Sequence, residues 1–326
     1  MQKNHTMKPK ISVIICERNS EKFIEECIAS VISQSFRDFE LIIIDDFSTD
    51  KTKEKINKLK EKHEMNLIEL KKHSGISFAR NTGIKNSKGE FVAFLDSDAM
   101  AGKNWLQELL EAFDEKAASV GGPNILPENT GEKEKIFDEL LEFISRIGSD
   151  YIKKSSKITE VKHNPGCNSM YRKKTLEEIN GFNEKLSSNE DPELDFRIKK
   201  KGYKIKFNPK AVVYHHRKNS AKKIFNQAFW FGLGRMQAIK VNFRMIEWFR
   251  TVPAISIIII LLLFFFGVYS GKFELIVYFS FFLVLVLIMI SLAAMIKYKR
   301  ISLHYFIFLF SWFFGYGFGM IKGVFK

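Results

Sequence analysis

The sequence predicts an α/β domain with a mostly parallel sheet and helices on both faces, followed by an α-helical transmembrane region. Three observations lead there. Short apolar runs alternate with amphipathic stretches through the first half of the chain. The runs are continuous rather than alternating, as in strands buried on both faces. Three long apolar stretches occupy the C-terminal part. Strands alternating with helices imply a sheet covered on both sides.

In chain order, "ISVIIC" (11–16) is the first strand. "NSEKFIEECIASVISQSF" follows, with Phe23, Ile24, Cys27, Ile28, Val31 and Ile32 at helical spacing and Asn19 or Ser20 as N-cap. "FELIIID" (39–45) is the second strand, and "TDKTKEKINKLKEKHE" a polar surface helix. "MNLIEL" (65–70) is a third strand, "SFARNTGIKNS" a helix, and "EFVAFLD" (90–96) a fourth strand. "NWLQELLEAFDEK" is another amphipathic helix, leading to a strand at "SVGGPNI". Within "SSNEDPELDFRIKKKGYKI" (187–205) a short amphipathic helix stops at Gly202.

Ligands of such sheets bind at the carboxyl ends of the strands. Asp45 and Asp46 sit at one such end, Asp96 and Asp98 at another. Residues i and i+2 of an extended chain point the same way, so Asp96 and Asp98 can approach one hard divalent ion. Mg²⁺ and Mn²⁺ prefer such oxygen ligands. The plain alternative is a turn, since Asp-Ser-Asp is ordinary loop chemistry. Glu190 and Asp191 begin the late helix, where the macrodipole also favours acids. Neither GxGxxG nor GxxxxGK[ST] is present, so nicotinamide, flavin and P-loop chemistry are unsupported.

The net charge of +14 over 326 residues points to an anionic partner: nucleic acid, a phosphorylated substrate or an acidic membrane surface. The lysines are dispersed and no nucleic-acid-binding signature is present, so the hydrophobic tail favours the membrane. Cys16, Cys27 and Cys167 show no CxxC spacing and read as reduced thiols of a cytosolic domain, with no zinc site. Residues 1–10 read as an N-terminal extension rather than a signal peptide, because the apolar run after them is short.

"SVIICERN", "IIIDDFSTDKT", "GISFARNTGIKNSKGEFVAFLDSDA" and "NEDPELDFRIKKKGYKI" resemble, in order, four motifs of the family 2 glycosyltransferases, which have the GT-A fold. "GCNSMYRKKTLEEINGF" and "NPKAVVYHH" also resemble that family, and the likeness covers about residues 10–220. The resemblance implies an inverting, metal-dependent hexosyltransferase using a UDP- or GDP-linked sugar. It implies that Asp46 accepts a hydrogen bond from the nucleotide base, supported by Asp45. The end of the first strand also touches the nucleotide in that family. Here "CERN" replaces the usual small residue, Thr and Tyr, so Cys16 and Arg18 are the nucleotide-binding candidates there, with Arg80 and Asp96 beyond. The resemblance gives Asp96 and Asp98 to an Mg²⁺ or Mn²⁺ ion, with His215 or His216 as a late histidine near the metal or diphosphate. Asp191 matches the general base, and Glu190 and Asn168 are expected at the acceptor.

"VPAISIIIILLLFFFGVYS", "FELIVYFSFFLVLVLIMISLAAMI" and "ISLHYFIFLFSWFFGYGFGMI" are apolar stretches of about 18–24 residues; ~20 residues in a helix cross a bilayer core. Arg250 and the basic "KYKR" (297–300) place the N-terminal domain in the cytoplasm by the positive-inside rule, making a multi-pass cell-membrane protein. Residues 11–218 are then the catalytic domain, 219–250 an interfacial amphipathic region mixing Lys and Arg with Phe and Trp, and 251–326 three membrane helices. Gly315 and Gly319 form a GxxxG that packs helices of this chain or of another, so an oligomer stays open. The implied acceptor is a lipid-linked sugar or polyprenyl phosphate. Alternatives are a processive polysaccharide synthase, whose usual QxxRW is missing after Gln227, and a non-catalytic sugar-nucleotide-binding membrane protein, against which Asp46, Asp96, Asp98 and Asp191 argue.

Overall fold

The computed structural model describes residues 8–145 and 156–326, so most of the expected N-terminal extension lies outside the described residues. The chain divides into two compact units. One is formed by Met1–Pro127, Asp150–Glu184 and Glu190–His216, the other by Glu128–Ser149, Lys185–Asn189 and Arg217–Lys326. Two internal segments of the chain group with the C-terminal helices.

The first unit contains β1 (Ile11–Glu17), α1 (Ile24–Ile32), β2 (Phe39–Asp45), α2 (Thr52–Lys60), β3 (Asn66–Glu69), α3 (Ile76–Asn86), β4 (Phe91–Asp96), β5 (Ala99–Ala101), α4 (Trp105–Glu111), β6 (Ala117–Gly121) and β7 (Asn124–Ile125). After α5 (Glu132–Ser145), which belongs to the second unit, come β8 (Thr159–Glu160), β9 (Asn168–Arg172), α6 (Lys173–Glu178), α7 (Glu190–Lys200), β10 (Lys204–Phe207) and β11 (Val213–His215). The main sheet has the order β3-β2-β1-β4-β9-β6-β10-β8. β3, β2, β1 and β4 are parallel, and β9 runs antiparallel to both β4 and β6. A second small sheet has the order β5-β11-β7.

The continuous apolar runs are explained by the two cores. Val13 and Ile15 pack on one face with Ile24, Ile28 and Val31 of α1 and with Trp105 and Leu109 of α4. Ile14 and Cys16 pack on the other with Ala79 of α3 and Leu194 and Ile198 of α7. The expected N-cap of α1 is corrected: the helix begins after Phe23, with no side-chain cap. Ser20 Oγ lies 2.7 Å from Ser97 Oγ, and the Ser20 N–H donates to Thr52 Oγ1 at 2.8 Å. Asn19 Oδ1 accepts from the Thr49 N–H at 2.8 Å. Both residues therefore tie loops together instead of starting the helix. "SVGGPNI" is two strands rather than one, broken at Gly122, where a Cβ would lie 1.9 Å from the Ala211 carbonyl oxygen.

The second unit adds α8 (Ala221–Val241), a 3₁₀ turn at Phe243–Met245, α9 (Trp248–Ser270), α10 (Glu274–Tyr298) and α11 (His304–Val324). α9, α10 and α11 are long and apolar enough to cross a membrane, with mean hydropathies of 2.7, 2.9 and 1.4. The GxxxG face packs within this chain, against α8. A Cβ at Gly319 would lie 2.0 Å from the Phe229 carbonyl oxygen, one at Gly315 2.5 Å from that of Phe225, and one at Gly232 2.0 Å from that of Tyr316. Glycines on both helices thus let the two backbones touch. Gly319→Leu is expected to lower the melting temperature of the full chain, because overpacking a rigid contact costs about 1–3 kcal/mol. Gly131→Ala, whose Cβ would meet nothing within 4 Å, is the control. Equal melting of both variants would refute the close contact.

Candidate active site

The parallel register aligns the strand ends: Glu17 faces Asp45 across β1 and β2, and Cys16 faces Asp96 across β1 and β4. Carboxylates therefore converge on one sheet edge. Glu17 is buried, and its Oε1 accepts from Ser48 Oγ at 3.1 Å. Burial first, then its hydrogen bond to Asp45 and the Asp45 charge, push its pKa up to about 9. Glu17 was not among the expected site residues; its only sequence signal was the departure at "CERN". Its ordinary value is 4.5, so folding takes up a proton, and its contribution is lost as pH rises from there to about 9. Glu17→Gln is expected to flatten that decline and to melt higher than wild type at pH 8, the difference shrinking toward pH 5. Parallel pH–melting curves would refute it.

Asp46 is buried and organises the loop between β3 and α3. Its Oδ1 accepts from the Ser74 N–H at 2.7 Å; its Oδ2 accepts from the Gly75 N–H at 2.9 Å and lies 2.7 Å from His73 Nδ1. A carboxylate has about four lone-pair sites, so Asp46 keeps roughly one for a ligand. Gly75 has φ 89°, a left-handed conformation that suits glycine. Cys16 is a buried thiol whose pKa burial pushes up to about 12, so it packs as a neutral side chain. Arg18 is exposed beside it.

Asp96 and Asp98 are partly exposed at the end of β4. His215 Nε2 lies 3.2 Å from Asp98 Oδ1, because β11 pairs with β5 and sets His215 opposite Ala99. His216 packs its ring on Phe23, with centroids 5.1 Å apart. Asp96, His215 and Cys167 each offer a ligand atom, and the three lie within 4.8 Å of one another. His215 Nδ1 is buried with no hydrogen bond. Two carboxylates and an imidazole with an unsatisfied nitrogen fit a divalent cation of the Mg²⁺/Mn²⁺ class, and the nitrogen suits Mn²⁺ better.

Arg80 is buried. Nη1 donates to Glu190 Oε1 at 2.7 Å and Nη2 to Asp96 Oδ1 at 3.2 Å. The guanidinium lies over the rings of Phe94 and Phe182, 5.6 and 5.3 Å from their centroids. Glu190 is buried in this pair; burial, opposed by Arg80, pushes its pKa up to about 7. Asp191 is half-buried and accepts from the Gly166 N–H at 2.8 Å. Burial raises its pKa above the usual carboxylate range, with Arg80 opposing. Asn168 is fully buried, donates to the Pro123 and Ala211 carbonyls at 3.1 and 2.9 Å, and accepts from Trp105 Nε1 at 2.8 Å.

Comparison with known proteins follows the same lines. Residues 12–180 match the pattern of "Glycosyl transferase family 2". A Methanococcus voltae relative, dolichyl N-acetyl-alpha-D-glucosaminyl phosphate 3-beta-D-2,3-diacetamido-2,3-dideoxy-beta-D-glucuronosyltransferase, is 28% identical over 73% of this chain and 76% of its own. Poly-beta-1,6-N-acetyl-D-glucosamine synthase of Staphylococcus aureus is 27% identical over 63% of this chain. The chain spans 33% of glycosyltransferase GlyA of Streptococcus pneumoniae, at 24% identity over 69% of this chain, and 49% of the synthase. Among solved structures, the mannosyltransferase PcManGT of Pyrobaculum calidifontis, in complex with GDP-Man and Mn²⁺, has a TM-score of 0.57 at 19% identity, over 73% of this chain and 65% of its own. That likeness concerns the fold.

Proposed function

The chain belongs to glycosyl transferase family 2 and has a GT-A-like fold, and from that premise we propose that it is a membrane-anchored, inverting enzyme passing a sugar from a nucleotide-sugar to a lipid-linked acceptor. The observation that carries the reading is Asp191, half-buried, held by the Gly166 N–H and next in the chain to Glu190, whose partner Arg80 also donates to Asp96. The Gly166 N–H engages Oδ2, which leaves Oδ1 to accept the proton of an attacking acceptor hydroxyl. Burial makes that carboxylate a stronger base than a free one. Attack from the face opposite the departing nucleotide inverts the anomeric centre. Asp96 and His215, with Asp98 beside His215, are the residues to hold a divalent cation, which when bound would supply positive charge to the departing diphosphate. Asp46 keeps an acceptor position for the base. A glycosidase would instead flank the bond with two carboxylates and no metal.

A lipid-linked acceptor is supported by the apolar helices and by the relative named for a dolichyl-phosphate substrate. The positive-inside rule puts the basic segment 297–300 on the cytoplasmic side, where Arg300 Nε lies 3.4 Å from Glu139 of α5, a polar helix. A cysteine introduced as Ser270→Cys is expected to label from outside intact cells and one at Lys299→Cys is not; the reverse pattern overturns the topology. The transfer test offers UDP- and GDP-sugars with a polyprenyl-phosphate-linked acceptor to the purified full chain. Labelled lipid product is expected, and transfer only to soluble glycan refutes the lipid acceptor. The synthase relative favours a second reading, a processive polymerase. One sugar added per acceptor would exclude it.

A further inference from the structure

We propose that Cys167 completes, with Asp96 and His215, a three-ligand site for a thiophilic divalent cation of the Co²⁺/Zn²⁺/Cd²⁺ class, and that its thiol sets which cation the centre keeps. The inference rests on the reading of Asp96 and His215 as metal-facing and adds a sulfur ligand to it. It also revises the expectation that the cysteines take no part in metal binding.

The juxtaposition is built into the sheet. β9 runs antiparallel to β4 with Asn168 opposite Leu95, so Cys167, one residue before β9, falls beside Asp96. β11 brings His215 to β5 immediately after Asp98. One ligand atom from each of Asp96, Cys167 and His215 lies within 4.8 Å of the others. Three ligands held at ~2.0–2.3 Å round one ion lie roughly 3.3–4.0 Å apart, so atoms within 4.8 Å of one another close on an ion by a contraction of at most about 1.5 Å.

Two further contacts point the same way. Asp98 lies 3.2 Å from Nε2 of His215, while Nδ1 is buried without a hydrogen bond. A carboxylate holding one imidazole nitrogen so that the other faces a metal is the usual outer-shell arrangement, and a buried nitrogen without a partner is otherwise costly. Asn124 Nδ2 donates to Cys167 Sγ at 2.9 Å. That contact fixes the position of the sulfur beside Asp96. Cys16 and Cys27 differ: both are buried and have thiols pushed well up by burial, whereas Cys167 is partly exposed. Sulfur changes selectivity. Mg²⁺ demands oxygen ligands and retains its water, Mn²⁺ accepts a mixed set, and Co²⁺, Zn²⁺ and Cd²⁺ gain most from a thiolate.

The experiment titrates Co²⁺ alone into the detergent-solubilised full chain. A sulfur-to-cobalt charge-transfer band saturating at one equivalent is expected. Cys167→Ser is expected to abolish the band and weaken Co²⁺ binding by at least about tenfold. Cys27→Ala is expected to keep both. Cys167→Ala, read the same way, serves should the serine variant fold poorly, and melting temperatures identify that case. Absence of the band in wild type, or its persistence in the Cys167 variants, overturns the proposal. Thermal stabilisation by UDP or GDP with Mn²⁺ is measured on the same samples. Its retention in Cys167→Ser leaves the glycosyltransferase reading standing whatever the cobalt result. Its absence in wild type counts against that reading, not against the thiol ligand.

Discussion

Asp191→Asn is expected to lower turnover by ~10²–10⁴-fold, the usual worth of a positioned general base, while donor affinity and melting temperature stay near wild type. The substitution separates two roles that one carboxylate at a helix start can have. Asn caps a helix about as well as Asp and keeps an oxygen for the Gly166 N–H, so a purely structural Asp191 would lose little. Removing a charge from a partly buried cluster that includes Glu190 and Asp96 also relieves repulsion, so melting should not fall. Only the proton acceptor is lost. The pH profile adds an independent readout. Burial raises the pKa of Asp191, so the acidic limb of the wild-type rate should be shifted upward from that of a free Asp carboxylate. In the Asn variant that limb should disappear. Near-normal turnover with the limb intact would exclude Asp191 as the base.

The strands and the strand-end acids were legible because both follow from local chemistry. "ISVIIC" has no polar face to offer and must be buried twice over, and Asp45, Asp46, Asp96 and Asp98 are carboxylates where such runs end. What stayed hidden depends on partners far away in sequence. Nothing local shows that Glu190, 110 residues on, will claim the Arg80 guanidinium. Nor does it show that Trp105 and the Pro123 and Ala211 carbonyls will use the Asn168 amide. Ser20 had the composition of an N-cap, but Thr52 and Ser97 took it. β5, β7 and β11 have two or three residues each, too few to show a period. Cys167 had no spacing signal at all, because its companions come from β4 and β11 rather than from a nearby cysteine.

Arg80→Met is expected to destabilise the protein by about 3–5 kcal/mol, the usual cost of removing one partner from a buried ion pair. Methionine replaces the stem that packs on Phe94 and Phe182 but leaves Glu190 buried without its cation and Asp96 without a donor. Three carboxylates, Glu190, Asp96 and Asp191, hold the native guanidinium protonated, so the loss is electrostatic first and steric second. The sign with pH follows from Glu190. Its folded pKa of about 7 is above its ordinary 4.5, so its contribution is already lost as pH rises through that window. Without Arg80, whose charge lowers that pKa, the window extends upward, and the variant should lose most stability above neutrality and least near pH 5. The double variant Arg80→Met/Glu190→Gln removes the stranded charge and should recover part of the loss, giving a coupling of at least about 1 kcal/mol between the two positions. Donor binding should weaken in the single variant as well, because Asp96 loses the contact that fixes it at the end of β4. Wild-type melting in Arg80→Met, or strict additivity in the double variant, would show that the buried pair is not what joins the catalytic acid cluster to the strand end.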